Sequence, residues 1–489
     1  MYTYSVATID DINLLLEKRL KERNFDSNYK ECLKKYFDDF VSGKSIIFVA
    51  KIAGEPIGSI NLEFCNLPDI EKSCVAKIKY CFLSTFKIEK KYRGQGHISK
   101  LIKMAENIAQ ELGYYSIIIS CEETNQHAID IYTHFGYDEI IMRKQINNNF
   151  IIYFRKILEN NKVLFKNKPY VSIIVPVYNS STTLCDTLNC ILHQTYTNFE
   201  LIVVDDGSSD STLKMIYENI KEERRLKVIK QNHLGAGVAR NKGLKAAVGK
   251  YVLFLDSDDL FLPNMLEILI KKADSLNAEI VIFGFSVFKS EPSNYIPTPY
   301  PYVGIENRLY SSFELRDSIF QKNIAAAWNK FYNRSFLINC EIEFQNLPFF
   351  NDEYFSRMSL LQSNSICYIN EVLLFYRINS PNNIHSAKDG SVLFSCVVDC
   401  LYNTMNKKNI IKDFERSFSI YFGDIIYRAL SHAGNKQMFV LIFAECNALL
   451  NRCKSGLNLS FLDDNKRNIL KYILSKNIEE CYFLINKKI

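Results

Sequence analysis

From Tyr170 the chain repeats one pattern: a short apolar run, then an amphipathic stretch, then another apolar run. The segments are VSIIVPV, SSTTLCDTLNCILHQ, FELIVVD, SDSTLKMIYENIKEE, RLKVIKQ, GAGVARNKGLKAA and YVLFLD. Apolar runs this short, without strict polar alternation, are strands buried on both faces, and the amphipathic stretches between them are helices. Strands of that kind belong to a parallel sheet covered by helices on both sides. An open parallel sheet binds its ligands beyond the carboxyl ends of its strands. The residues that follow each apolar run are therefore where chemistry is expected. They are Pro176-Val177-Tyr178-Asn179, Asp205-Asp206-Gly207-Ser208-Ser209-Asp210 and Asp256-Ser257-Asp258-Asp259.

Two acids spaced by one residue at a strand end offer oxygen ligands to a hard divalent cation, which keeps several waters and bridges to substrate phosphates. Such a cation neutralises a departing diphosphate. The competing reading is an acidic loop that caps the next helix, LPNMLEILIKKADSL, through its dipole. In their order and spacing, PVYN, VVDDGSSD, GAGVARNKG and FLDSDD resemble the family 2 glycosyltransferases, whose fold is the GT-A type. The resemblance runs from about Tyr170 to Ser386. It implies inverting transfer of a sugar from a nucleoside diphosphate donor, commonly a UDP-sugar, with Mg²⁺ or Mn²⁺.

Carried onto this sequence, the resemblance puts Pro176, Tyr178 and Asp206 around the base, with Asp206 accepting from a ring nitrogen. Arg240 lies near the nucleotide, Asp256 and Ser257 on the ribose and diphosphate side, and Asp258 on the metal. Asp205 and Asp210 also read as turn and helix-cap residues. An inverting enzyme needs a general base opposite its leaving group. The family's Glu-Asp pair appears here as Asn351-Asp352, followed by Glu353, Tyr354 and Phe355. Asp352 is the implied base and Glu353 a second candidate; helix capping by Asn351 or Asp352 is the competing role. The stretch AAWNKFYNRSFL places Trp328 on the acceptor side, where its face suits a sugar ring, with core packing as the alternative. FYRINSPNNIHS makes Arg377 and His385 candidates for phosphate and metal contact, although a lone His is more often structural.

Before this domain, KIEKKYRGQGHISKLIKMAENIAQELG reads as a strand, a Gly-rich turn and an amphipathic helix. A glycine turn that opens a helix presents free backbone N–H groups to a phosphate. Together with YYSIIISC and EETNQHAIDIYTHFGYDEI, it resembles the GNAT acetyltransferases over roughly residues 1 to 157. That implies acetyl-CoA lying past Ile88 with its pyrophosphate over Arg93, Gly94, Gln95 and Gly96. It also implies Asn125 beside the pantetheine arm and Tyr132 as the acid that protonates the thiolate; Tyr132 also reads as a core aromatic. Ile98 departs from the pattern, which prefers Gly or Ala where the helix start approaches the cofactor.

At 489 residues the chain exceeds the roughly 250–300 at which one core stops growing, so several domains are expected. The reading is an α/β multidomain chain: a GNAT-like domain over 1–157, a linker over 158–169, a mostly parallel GT-A domain over 170–386, and an α-helical C-terminal extension over 387–489. A net charge of +6, spread along the chain, implies no nucleic-acid partner. No stretch reaches the ~18 apolar residues of a spanning helix, and a cytoplasmic enzyme is expected. The fourteen cysteines lack zinc or CxxC spacing and read as reduced packing residues. The basic, helically spaced tail NKRNILKYILSKNIEECYFLINKKI reads as a packing helix or as one lying on an anionic inner membrane.

The expected function is bifunctional, in the assembly of a bacterial surface polysaccharide such as capsule or lipooligosaccharide. One site transfers a sugar to a glycan or lipid-linked glycan acceptor and the other acetylates a sugar amino or hydroxyl group. Self-association is compatible with this reading. The alternative is a glycosyltransferase alone, with the N-terminal domain as a binding or oligomerisation module.

Overall fold

The computed structural model describes residues 1–22, 27–64, 80–146, 149–158, 168–219, 223–289, 292, 295–297, 308–378 and 393–486. Most of the expected 158–169 linker, the 386/387 boundary and His385 lie outside the described residues. The chain begins with β1 (Tyr2–Val6), α1 (Ile9–Glu22), α2 (Ser27–Val41), β2 (Ser45–Ile52), β3 (Glu55–Glu63) and β4 (Tyr80–Ile88). It continues with α3 (His97–Glu111), β5 (Ser116–Glu122), α4 (Gln126–His134), β6 (Glu139–Ile146) and β7 (Asn149–Ile157). These strands form one sheet in the order β1-β2-β3-β4-β5-β7-β6. The β4–β5 pair is parallel and joins only Tyr80–Leu83 to Ser116–Ile119. Beyond those residues the two strands part, which opens a cleft in the sheet. On one face α3 and α4 bury Leu101, Ile102, Ala105 and Tyr132 against Ile60, Leu62 and Ile117.

The second sheet is built from β8 (Val171–Val177), β9 (Phe199–Asp205), β10 (Leu226–Lys230), β11 (Tyr251–Phe254), β12 (Leu260–Phe261), β13 (Ile280–Phe288), β14 (Ile296–Pro297), β15 (Leu309–Tyr310), β16 (Lys330–Asn333) and β17 (Ile366–Arg377). Its main path runs β10-β9-β8-β11-β16-β13-β17-β12. The four strands at its head are parallel, as the apolar runs predicted. Strand β16 is antiparallel to both neighbours, so the sheet is mixed. Its crossover helices are α5 (Leu184–Leu192), α6 (Thr212–Asn219), α7 (Ala236–Ala246) and α8 (Met265–Leu276); α9 (Ile319–Lys322), α10 (Arg334–Cys340) and α11 (Glu353–Gln362) follow.

The two faces of this sheet belong to different cores. In β8 Ile174 and in β9 Ile202 and Val204 enter one core together with residues of α12 (Phe394–Lys407), α13 (Glu415–Ser431), α14 (Lys436–Cys453), α15 (Asp464–Leu474) and α16 (Ile478–Asn486). The alternate residues Ile173, Val175, Leu201 and Val203 enter another, which they share with Ile12, Leu15, Phe37, Phe40, Ile47 and Val49 of the N-terminal region. This period-2 division is what a strand buried on both faces does. The flanking regions thus each pack on one face of this sheet. The tail helices spend Ile469, Leu470, Ile473, Cys481 and Ile485 on the first of these cores. Their apolar stripe therefore faces inward, in favour of packing over a membrane surface. No helix among the described residues is long and apolar enough to cross a membrane. Of the cysteines there, Cys32, Cys185 and Cys396 are exposed rather than packed, and none is in a disulfide.

Candidate active site

The ends of β8 and β9 are stapled to each other. Asn179, at φ +48°, accepts from Ser209 N at 2.8 Å through Oδ1, and its own N–H donates to Ser208 Oγ at 3.0 Å. Asp205 accepts from Ser208 N within the turn, and Asp210 accepts from Ser181 N and Thr212 N. Asp205 and Asp210 therefore carry the turn and cap chemistry that was their competing reading. Tyr178 stands 40% exposed beyond the strand and stacks on His233 at 4.0 Å and 21°. Asp206 is buried and accepts from Gln231 Nε2 at 2.7 Å, Leu234 N at 2.8 Å and Gly235 N at 2.9 Å, with His233 Nδ1 at 3.0 Å. A carboxylate has about four acceptor positions, and here they are already in use. A base nitrogen reaching Asp206 must displace Gln231 or His233. The sequence reading missed His233, because only the fold brings it over Tyr178.

The acidic loop is held from two sides. Thr183 and Thr187, at the start of α5, donate to the carbonyls of Ser257 and Asp259 at 3.1 and 2.8 Å, and Ser180 Oγ lies 2.9 Å from Ser257 Oγ. Arg377 donates its backbone N–H to Asp259 Oδ1 and its Nε to Asp258 O, both at 2.9 Å. It thus clamps the loop's backbone. Asp259 is fully buried, and burial, then Asp258 and Asp256, push its carboxyl well above the usual range. Asp256 and Asp258 are half-buried. No set of three His, Cys, Asp or Glu with metal-holding geometry exists among the described residues. A magnesium-like ion that keeps its waters and shares substrate phosphates needs only one or two carboxylates, and Asp258 is the residue that would supply one.

Arg240 ties this corner to the far side of the cleft. Its Nη2 donates to Asp256 Oδ1 at 2.6 Å and its Nη1 to Asn351 Oδ1 at 2.8 Å. Asn351 thus occupies the acid's place as a neutral acceptor for a buried arginine. Asp352 precedes α11, yet its side chain makes no capping bond. Burial raises its carboxyl to about 6, against the pull of Arg240, with Glu353 and Asp256 adding to the rise. Glu353 instead pairs with Arg357 at 3.0 Å, and Arg357 donates to Phe320 O and Asn323 O. That network ties Glu353 into the scaffold, leaving Asp352 as the acid without such a partner. Lys330 is fully buried and donates to Ile324 O, Ala326 O and Asn329 Oδ1 at 2.9, 2.6 and 2.9 Å. Burial and then Arg357 lower its ammonium to about 7. Trp328 is 9% exposed, stacked on Tyr376 at 5.1 Å and edge-on to Phe285. Core packing, its alternative reading, describes it.

In the N-terminal domain the parted strands carry a bulge at Thr85, where φ is +57°. Arg93 Nε returns to Ile88 O at 3.1 Å. Gly94 and Gly96 have φ of +77° and +78°, and a Cβ on either would meet nothing within 4 Å. Helix α3 starts at His97, and its first i→i−4 bond is from Lys100 N to Gly96 O. The preceding amides are the unsatisfied donors of a helix start and face an open turn. Gln95 Oε1 accepts from Tyr2 Oη at 2.9 Å. Ile98 is half-buried against its own domain's core. Asn125 caps α4 by accepting from Ala128 N at 3.1 Å. Tyr132 lies on α4 between Phe86 and Phe154, and burial pushes its phenol up to about 12.

Residues 172–340 match the Glycosyl transferase family 2 profile, and residues 13–137 match that of the Acetyltransferase (GNAT) family. The chain carries a family 2 glycosyltransferase domain behind a GNAT domain. Its relatives include the glycosyltransferase GlyG of Streptococcus pneumoniae, 27% identical over 276 residues, or 51% of this chain and 89% of that protein. Another is the cholesterol galactosyltransferase of Borreliella burgdorferi, 26% identical over 61% of this chain and 84% of its own. Among solved structures, S. aureus TarS 1-349 in complex with UDP-GlcNAc superposes with a TM-score of 0.56, covering 65% of this chain and 91% of that one at 20% identity. This last likeness is one of fold.

Proposed function

We propose that the family 2 domain, over about 170–386, is an inverting transferase that takes its sugar from a nucleoside diphosphate, and that the GNAT domain, over 1–157, is an acetyl-CoA-dependent acetyltransferase. The observation that carries the first half is the Asp352 carboxylate, uncapped and raised to about 6, linked through Asn351 and Arg240 to Asp256. A base of that strength is ionised at neutral pH and still basic enough to take a hydroxyl proton as the bond to the anomeric carbon forms. Asp258 and Asp256 would hold a divalent cation, which supplies charge neutralisation for the diphosphate. Tyr178 offers the base a flat face, and the donor complex of TarS supports a UDP-sugar as the first donor to try. The acceptor is a glycan or lipid-linked glycan of a bacterial surface polymer, and both reactions run in the cytoplasm. A donor screen by UDP release, with and without Mn²⁺, tests the reading; a chain that turns over no nucleotide sugar refutes it.

The shared core between α1, α2 and the transferase sheet favours a second reading, in which the GNAT domain serves only as a coat for that sheet. Calorimetry with acetyl-CoA separates the two. Heat of binding together with acetyl transfer to an amino sugar supports two activities, and silence in both leaves a structural module.

A further inference from the structure

The sheet face that β3 and β4 turn toward α1 and α2 carries a polar strip inside an apolar core. From β3 come Ser59, Asn61 and Glu63; from β4 comes Ser84, opposite Asn61. Above them sits Arg19 of α1, 4% exposed. Its Nη2 donates to Ser59 Oγ at 2.8 Å, its Nε is buried without a partner, and its guanidinium lies 5.1 Å from the Tyr36 ring. The Tyr36 hydroxyl and Asn61 Oδ1 are likewise buried without hydrogen bonds. The nearest acid on the strip, Glu63, accepts from Asn61 Nδ2 at 3.1 Å and from Ser84.

A cavity of about 300 Å³ opens onto Arg19, lined also by Leu15, Lys18, Ser59, Lys87 and Glu89. That is the lower end of the range for small-molecule sites. At its mouth Lys18 pairs with Glu89 and Lys87 with Glu22, so these charges cancel. Among the described residues Arg19 is a buried cation that forms no ion pair. Keeping such a charge out of water is expensive unless something opposes it. A guanidinium fork is the geometry that takes a carboxylate or phosphate by two parallel bonds. The strip leads from Arg19 along Ser59 and Asn61 to Ser84, which adjoins the bulge on the parted half of β4 where the cofactor cleft begins.

We propose that this cavity is the acceptor site of the GNAT domain and that it takes a sugar bearing a carboxylate or phosphate, the anion held by Arg19 and a hydroxyl by Ser59. The assignment of an acceptor rests on reading the domain as an acetyltransferase; the anion site itself does not.

The test is calorimetry on the full chain with glucosamine 6-phosphate, glucuronate and unmodified glucosamine, each with and without acetyl-CoA. The anionic probes are expected to bind at least tenfold more tightly than glucosamine, and whichever of the two binds better identifies phosphate or carboxylate. Arg19→Gln should weaken that binding at least tenfold and Ser59→Ala several-fold, with acetyl-CoA affinity unchanged in both. Should Arg19→Gln fail to fold, Ser59→Ala, which removes one oxygen from the cavity wall, carries the test. The site is overturned if neither anion binds the wild-type chain, if both variants bind like wild type, or if the probes compete with acetyl-CoA. Binding of the anions without any binding of acetyl-CoA keeps the site and removes the acetyltransferase reading instead.

Discussion

Arg240 and Asn351, 111 residues apart in sequence, are joined by a 2.8 Å hydrogen bond from Nη1 to Oδ1. The other arm of the same guanidinium holds Asp256. An amide at position 351 leaves Arg240 one carboxylate partner, not two, and keeps a negative charge away from Asp352. Asn351→Asp restores that charge beside the base. A like charge disfavours ionisation, so the acid limb of the transfer rate against pH is expected to move up by about one unit. A profile unchanged from wild type would remove Asn351 from the electrostatics of the base.

Asp352 links activity to stability. Its folded carboxyl, at about 6, lies above the ordinary value of 3.8, so the folded chain binds this proton more tightly than the unfolded one. Its ionisation therefore costs stability as pH rises from the unfolded value through about 6, and the whole cost is present at pH 7. Asp352→Asn should abolish transfer while stabilising the chain at pH 7 by on the order of 1–3 kcal/mol. At pH 4, where the wild-type carboxyl is also protonated, the gain should vanish. Urea unfolding at the two pH values, beside an assay of UDP release, checks both halves.

Within the cluster Asp256 is paired with Arg240 at 2.6 Å. Asp258 is the proposed cation ligand, separated from it by one residue in the acidic motif. Asp258→Ala is expected to cost at least about 100-fold in transfer, and added Mn²⁺ should no longer restore a chelator-treated sample. Asp259→Asn tests the fully buried member of the trio, whose carboxyl burial pushes up. An amide of like shape still accepts from the Arg377 N–H, so activity should stay within a few-fold of wild type. The readout is UDP release against Mn²⁺ concentration for the two variants.

The parallel core and the strand-end residues were legible because period and motif are local properties. Val171–Val177 and Phe199–Asp205 announce themselves by apolar runs, and the acids follow them directly. What was not legible depends on partners brought together by folding. Nothing in QNHLG marks His233 as a stacking partner of Tyr178, and nothing in AAWNK separates a packed Trp328 from an exposed one or shows that Lys330 is fully buried. The contact between domains was hidden for the same reason. Ile12, Phe37 and Phe40 read as the inner stripe of ordinary amphipathic helices, and only the structure shows that part of what they cover is another domain's sheet. The acid replaced by Asn351 was visible, but its compensation by Arg240 was not.

That contact turns on Gly43. At φ +67°, its Cα leaves so little room that a Cβ would stand 2.4 Å from Cys190 Cα in α5. The neighbouring Val41 O accepts from Cys190 Sγ at 3.2 Å, and Gly43 O meets His193 Nδ1 at 2.9 Å. Gly43→Ala combines overpacking, about 1–3 kcal/mol, with a left-handed backbone cost of about 1–2 kcal/mol. Because the obstacle is backbone, a rotamer change cannot absorb it. The variant should lose at least about 2 kcal/mol. Since α5 also holds the carbonyls of Ser257 and Asp259, transfer should fall with it. Gly54→Ala, at φ +86° with nothing within 4 Å of its Cβ, is the control that carries backbone strain alone.

Tyr132 provides the corresponding test of the N-terminal domain. Burial and the nearby Cys121 push its phenol up to about 12, so it stays protonated across the working range and has a proton to give when the bond from acetyl carbon to sulfur breaks. If that proton reaches the departing thiolate, Tyr132→Phe should lower kcat for acetyl transfer by about 10²–10⁴-fold with the acetyl-CoA affinity unchanged. If the ring is only core, contacting Phe86 and Phe154, the phenylalanine fills the same space and kcat should be retained.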